Sequence, residues 1–315
     1  MLGNVQGWVI SAVIALVGGY GLWVASQPPR VSEPSGVFPK LLSPVALPIE
    51  PKSVSPLPMS GACDAGEKYR AAIAEYQADA KHYDVWSNNA KAALDAKPHA
   101  VELVVEAADC GTMNLFRRSP GEVISYDTDL PPLEMIDRLG RMCVQRGMLL
   151  RKTQPDDARR YLAAAFALGY RLYSERLVWQ EFNAGINLMT DAAKYLRELE
   201  PDPGRARSLE LFADAADKYK QEQLKLYGVI NTADGTLVGR YGGDVYALAR
   251  SSPEPMWRTA AILAVGRMKY NTPRRGDQLA APRELKAWAA DPDPVARTAA
   301  KAASDLTIER YRMLR

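Results

Sequence analysis

The sequence predicts an all-α fold, a solenoid-like stack of helical hairpins behind one N-terminal transmembrane helix and a Pro-rich stalk. Three observations predict it. From Asp64 onward apolar residues recur at helical spacing, and Ala, Leu, Glu, Lys and Arg dominate. Ahead of that body, Trp8 to Ala25 runs for eighteen residues without a charge, and nine prolines follow between Pro28 and Pro58. Near the other end, two nonapeptides, PEPMWRTAA from Pro253 and PDPVARTAA from Pro292, stand 39 residues apart.

Residues 1–26 read as the anchor. A helix of about 20 residues crosses the hydrocarbon core of a bilayer, and Trp8, Tyr20 and Trp23 sit where an aromatic belt belongs. A cleaved signal peptide competes, with Val24-Ala25-Ser26 as its cleavage site, but MLGNVQG lacks the Lys or Arg of an n-region. Ser11, Ala15 and Gly19 lie four apart, a stripe that lets a second membrane helix approach closely. Residues 27–60 read as a Pro-rich linker; as polyproline II at about 3.1 Å per residue it reaches on the order of 100 Å. Arg30 and Lys40 place the bulk in the cytoplasm by the positive-inside rule. Pro-rich stalks of this kind are familiar in bacterial envelope proteins, which favours a bacterial inner-membrane protein with a periplasmic domain.

Residues 61–228 carry amphipathic runs near 100–110, 132–151, 157–173, 175–199 and 205–228, separated by KPHA, RRSPGE, KTQPDD and EPDPGR. In QPDDARRYL and EPDPGRARSLEL, Asp and Pro stand where an N-cap and a first-turn residue belong. Residues 229–244 read as a loop or short β-hairpin, since Val229, Ile230, Leu237 and Val238 flank the Asp234-Gly235 turn. Residues 245–315 hold the repeated nonapeptide. Its prolines, Pro253 and Pro292 among them, end one helix and pre-set the next, its alanines let helices approach, and Arg258 and Arg297 reach turn carbonyls. Two repeats are too few to bury a continuous core alone, so the first must pack on the helices before Tyr227.

In DARRYLAAAFALG, Ala158, Leu162 and Ala165 resemble the second helix of a tetratricopeptide repeat. The segment ELKAWAADPDPVARTAAKAASDL resembles a HEAT repeat, and the likeness covers about 243–307. In that family an Asp in the turn and an Arg six residues on form a ladder between repeats. Asp291 and Arg297 match those positions; the first copy keeps Arg258 but has Ser252 for the Asp.

Composition narrows the chemistry. Lys plus Arg number 40 against 37 for Asp plus Glu, and the resulting +3 points to no nucleic acid. Two histidines, His82 and His99, argue against a His-rich metal centre or a Ser/His/Asp triad. Three cysteines, Cys63, Cys110 and Cys143, form no CxxC, and the preferred disulfide joins Cys110 to Cys143. A metal site can be drawn through His99, Glu102, Glu106, Asp109 and Cys110, but a solvated helix face explains it equally. Asp127 and Asp129 lack the Gly and distal Glu of a calcium loop. The glycines from 235 to 243 match no phosphate loop. The basic ends, Lys269, Arg274-Arg275, Arg310, Arg312 and Arg315, offer contacts to phospholipid or an acidic partner, or simply a solvated surface. The leading expectation is a scaffold or adaptor without catalysis or cofactor that binds proteins in the cell envelope. The alternatives are a membrane-complex subunit held through its transmembrane helix, and an enzyme with a cryptic carboxylate site.

Overall fold

The computed structural model describes residues 30–35, 46–83, 89, 92, 98–113, 115, 131–232, 241–272 and 274–313. Within these the chain is mostly helical. A short helix α1 (Pro51–Val54) and strand β1 (Gly61–Asp64) lead into α2 (Ala65–Ala78), α3 (His99–Glu106) and strand β2 (Cys110–Thr112). Long helices follow: α4 (Pro131–Leu150), α5 (Pro155–Glu175), α6 (Trp179–Leu199) and α7 (Pro203–Thr232). The C-terminal part holds α8 (Gly242–Ser251), α9 (Pro255–Met268), α10 (Arg275–Trp288), α11 (Pro294–Asp305) and α12 (Ile308–Met313).

Helix boundaries follow local chemistry. Pro155, Pro255 and Pro294 each occupy a first-turn position, where the missing N–H costs nothing. Asp64 accepts from the Gly66 N–H at 2.9 Å and Asp293 from the Val295 N–H at 3.0 Å, capping α2 and α11. The buried Glu181 reaches back from α6 to the N–H groups of Leu177 and Val178, at 2.7 and 3.2 Å.

Helix α5 lies at the centre, packed by α4, α6 and α3, so it is buried all round from Tyr161 through Gly169. It meets α6 backbone to backbone. A Cβ on Gly169 would stand 2.7 Å from the Gly185 carbonyl oxygen, and one on Gly185 would stand 2.7 Å from the Gly169 oxygen. Helix α7 packs on α6, and α9 then docks on both. Trp257 of α9 is fully buried there, with its ring 5.7 Å from Trp179 and 6.4 Å from Tyr227, which themselves stack at 4.5 Å. One core therefore runs from Leu47 to Ala303. Within it α8 pairs with α9 and α10 with α11, and the pairs touch through α8 with α10 and α9 with α11.

Three expectations change. The linker is no free stalk at its described positions: Leu47, Val54 and Met59 are buried, α1 packs on α7, and the Leu47 N–H donates to the Tyr173 hydroxyl at 3.1 Å. Apolar residues among the prolines override the polyproline reading. Val229 and Ile230 are helical, not hairpin, because α7 runs on to Thr232 and buries Ile230; residues 233–240 lie outside the described ones. Cys110 pairs with Cys63, not with Cys143, which is a buried free thiol. The reason is a parallel pairing of β1 and β2 that aligns Gly61 with Cys110 and brings the two Cα atoms to 4.8 Å.

The transmembrane segment, with Ser11, Ala15 and Gly19, lies outside the described residues, as do Asp127, Asp129 and Arg315. Among the described residues no helix is long and apolar enough to cross a membrane.

Candidate functional site

The repeated nonapeptide places the same turn ahead of α9 and α11. Exposed Pro253 and Pro292 precede the N-caps Glu254 and Asp293, and Pro255 and Pro294 open the helices. In the first turn the Ser252 Oγ accepts from the Glu254 N–H at 3.3 Å; in the second the Asp291 Oδ1 accepts from the Asp293 N–H at 2.9 Å. Ser252 thus does the local turn work of Asp291 without its charge.

The charge is used across the pairs. Arg258 in α9 donates to Asp291 at 2.5 Å, to Asp293 at 3.1 Å and to the Ala249 carbonyl at 3.2 Å. Arg297 turns back on its own loop, donating to the Asp291 carbonyl at 2.6 Å. One step earlier, Arg176 at the end of α5 pairs with Glu254 at 3.2 Å, donates to the Tyr173 carbonyl at 2.6 Å and lies over the Tyr173 ring. Two arginines therefore cross successive junctions in one direction, Arg176 to Glu254 and then Arg258 to Asp291 and Asp293. Arg176 and Glu254 are 16% and 6% exposed at their side chains, so water screens the first link weakly.

A second constellation lies where residues 30–35 cross the first turns of α8 and α10. Ser32 donates its N–H and Oγ–H to Asp277 at 2.7 and 2.9 Å. Ser35 donates its N–H to both Asp244 oxygens at 3.2 Å and its Oγ–H to Oδ2 at 2.7 Å. Both aspartates are buried, and each is the third residue of its helix, directly after a glycine. The backbone of the crossing segment rests on those glycines: a Cβ on Gly276 would stand 2.7 Å from the Arg30 carbonyl, and one on Gly243 would overlap that of Glu33. Sequence reasoning missed this contact, although Gly-Asp recurs in plain view at 243–244 and 276–277.

The drawn metal ligands disperse. His99 Nδ1 contacts Glu75, Glu102 accepts from Tyr161 and Arg160, Glu106 pairs with Lys68 at 2.6 Å, and Cys110 is in the disulfide. Among the described residues no group of three or more His, Cys, Asp and Glu side chains is placed to hold a metal ion. Burial raises the Glu75 carboxyl, but hydrogen bonds from Tyr83 and the His99 contact outweigh it and leave it below its ordinary value. Burial, then Glu75, pushes the Tyr83 hydroxyl up to about 12. Beside the disulfide, the buried Arg171 donates to the Tyr69 hydroxyl and the Ala108 carbonyl, both at 2.9 Å, and to the Cys110 carbonyl, tying α5 to β2. Among carboxyls, burial raises Asp137, with Arg141 paired to it at 2.9 Å and Asp191 and Glu134 adding like charge. Of the basic ends, Lys269 caps α11 through the Ser304 and Leu306 carbonyls at 2.8 and 3.2 Å.

Comparison with protein-family models, with curated proteins and with solved structures found no match.

Proposed function

We propose that this protein is a membrane-anchored helical scaffold, HEAT-like in its C-terminal part, that binds other proteins on the outer side of a bacterial inner membrane and performs no catalysis. The arginine ladder carries the reading. Arg176 with Glu254, then Arg258 with Asp291 and Asp293, links successive helix units side by side, the way a solenoid propagates. In a solenoid such stacking leaves an extended surface, and surfaces of this kind serve as protein-binding platforms. The Cys63–Cys110 disulfide supports the extracytoplasmic side, because cytosolic thiols are kept reduced. The uncharged run from Trp8 to Ala25 supports the anchor.

The test is photo-crosslinking in intact cells from Leu211 and Leu224, exposed on α7 at 44% and 48%. Each position would carry a photoreactive residue, with and without Ser11→Leu, Ala15→Leu and Gly19→Leu. Discrete protein adducts that persist in the triple-leucine background support a scaffold acting through its body. Adducts that disappear with the leucines, while the body keeps its helical spectrum, replace it with a subunit held through its membrane helix.

A further inference from the structure

Residues 30–35 are more than a tether. Their contact repeats: the third residue of α8 and the third residue of α10 are both aspartate, both follow glycine, and each takes one serine by its N–H and its hydroxyl together. Spacing explains the register. Packed helices lie about 8–10 Å apart, and an extended chain advances about 3.3 Å per residue. Three residues along the segment therefore match one step across the helices, and Ser32 and Ser35 are three apart. The glycines matter for the same reason, since a side chain at 243 or 276 would fill the space through which the backbone passes.

We infer that the groove across the first turns of α8 and α10 is a binding site for an extended peptide with serines at positions i and i+3, and that residues 30–35 occupy it in cis. The inference rests on the scaffold reading for its external ligand. Several features make the resident segment exchangeable. Val31 is its one residue packed against the core; Arg30, Glu33, Pro34 and Ser35 are exposed. The hold thus comes chiefly from two aspartates, each bonded by one serine. With the segment in place both carboxylates are buried; withdrawing it takes away their serine donors, which an incoming Ser-x-x-Ser segment restores. Specificity follows from the same pair. A single serine satisfies one carboxylate and leaves the other, and residues without a hydroxyl supply only the N–H.

The test uses the full chain and a fluorescent peptide of residues 28–37, PPRVSEPSGV. The peptide should bind a Ser32→Ala/Ser35→Ala chain at least about tenfold more tightly than the wild type, whose own segment competes. Changing both serines of the peptide to alanine should abolish that binding, which needs no further change to the protein. Adding Asp244→Ala and Asp277→Ala to the chain should abolish it too, where circular dichroism shows the helices kept. Equal binding to both chains, absence of binding to the Ser32→Ala/Ser35→Ala chain, or equal binding of the alanine peptide overturns the site. These outcomes leave the scaffold reading untouched, since crosslinking from Leu211 and Leu224 reports on a different surface.

Discussion

At the scale of single residues, the junction between the two halves depends on Arg176 and Glu254. Glu254→Ala removes one member of a pair that water screens weakly, while Arg176 keeps the Tyr173 carbonyl and ring. We expect a loss of about 3 kcal/mol, the lower end for breaking a buried pair, measured by urea unfolding. Glu254→Gln, which can still accept a hydrogen bond, should lose less. The nonapeptide made Arg258 and its alanine neighbours legible, because a repeated motif shows which positions face a partner. It did not reveal Arg176, which lies in no repeat, or the exchange of an Asp291-type turn for one closed by Ser252. The cysteines illustrate the same limit. Cys143 sits on an amphipathic helix and was legible as helical, but its partner was not, because β1 and β2 are too short to show a period-two pattern. Burial raises the Cys143 thiol well above its ordinary value, so the native protein should be inert to thiol reagents. Unfolded without reductant it should titrate one thiol, and with reductant all three; three thiols without reductant would contradict the Cys63–Cys110 pairing.

At the scale of elements, α5 crosses α6 backbone to backbone at Gly169 and Gly185. Alanine at position 169 is intrinsically the better helix former, yet its Cβ would meet the Gly185 carbonyl at 2.7 Å and the Met189 N at 2.9 Å. Backbone cannot step aside as a side chain can, so Gly169→Ala should destabilise by about 1–3 kcal/mol in denaturant unfolding. Gly228→Ala, whose added Cβ meets nothing within 4 Å, should instead stabilise by about 0.5–1 kcal/mol. Opposite signs from one substitution separate packing from propensity. Helices α4 to α7 were legible because their apolar residues recur at helical spacing, and Asp and Pro mark the starts of α5 and α7. The segment 229–232 was misread because Val and Ile beside an Asp-Gly dipeptide imitate a hairpin, while the burial of Ile230 against the body decides for helix.

For the whole molecule, one core continues from Leu47 to Ala303, and residues 30–35 close the far end by reaching Asp277 and Asp244 across 245 and 209 positions of sequence. Contacts between serine and aspartate at such separations leave no periodicity, which is why a sequence rich in proline reads as a stalk. The consequence is cooperative: the C-terminal helix pairs should open with the central helices, not ahead of them, while the exposed segment 30–35 stays protected through its serine–aspartate bonds in the folded protein. Hydrogen exchange on the full-length protein, followed by mass spectrometry through increasing denaturant, measures this. The Ser32 and Ser35 amides should be protected, and α8 to α11 should lose protection in the same transition as α5 to α7. Free-peptide exchange at residues 30–35, together with separate opening of α8 to α11, would contradict a single body closed by its own N-terminal segment.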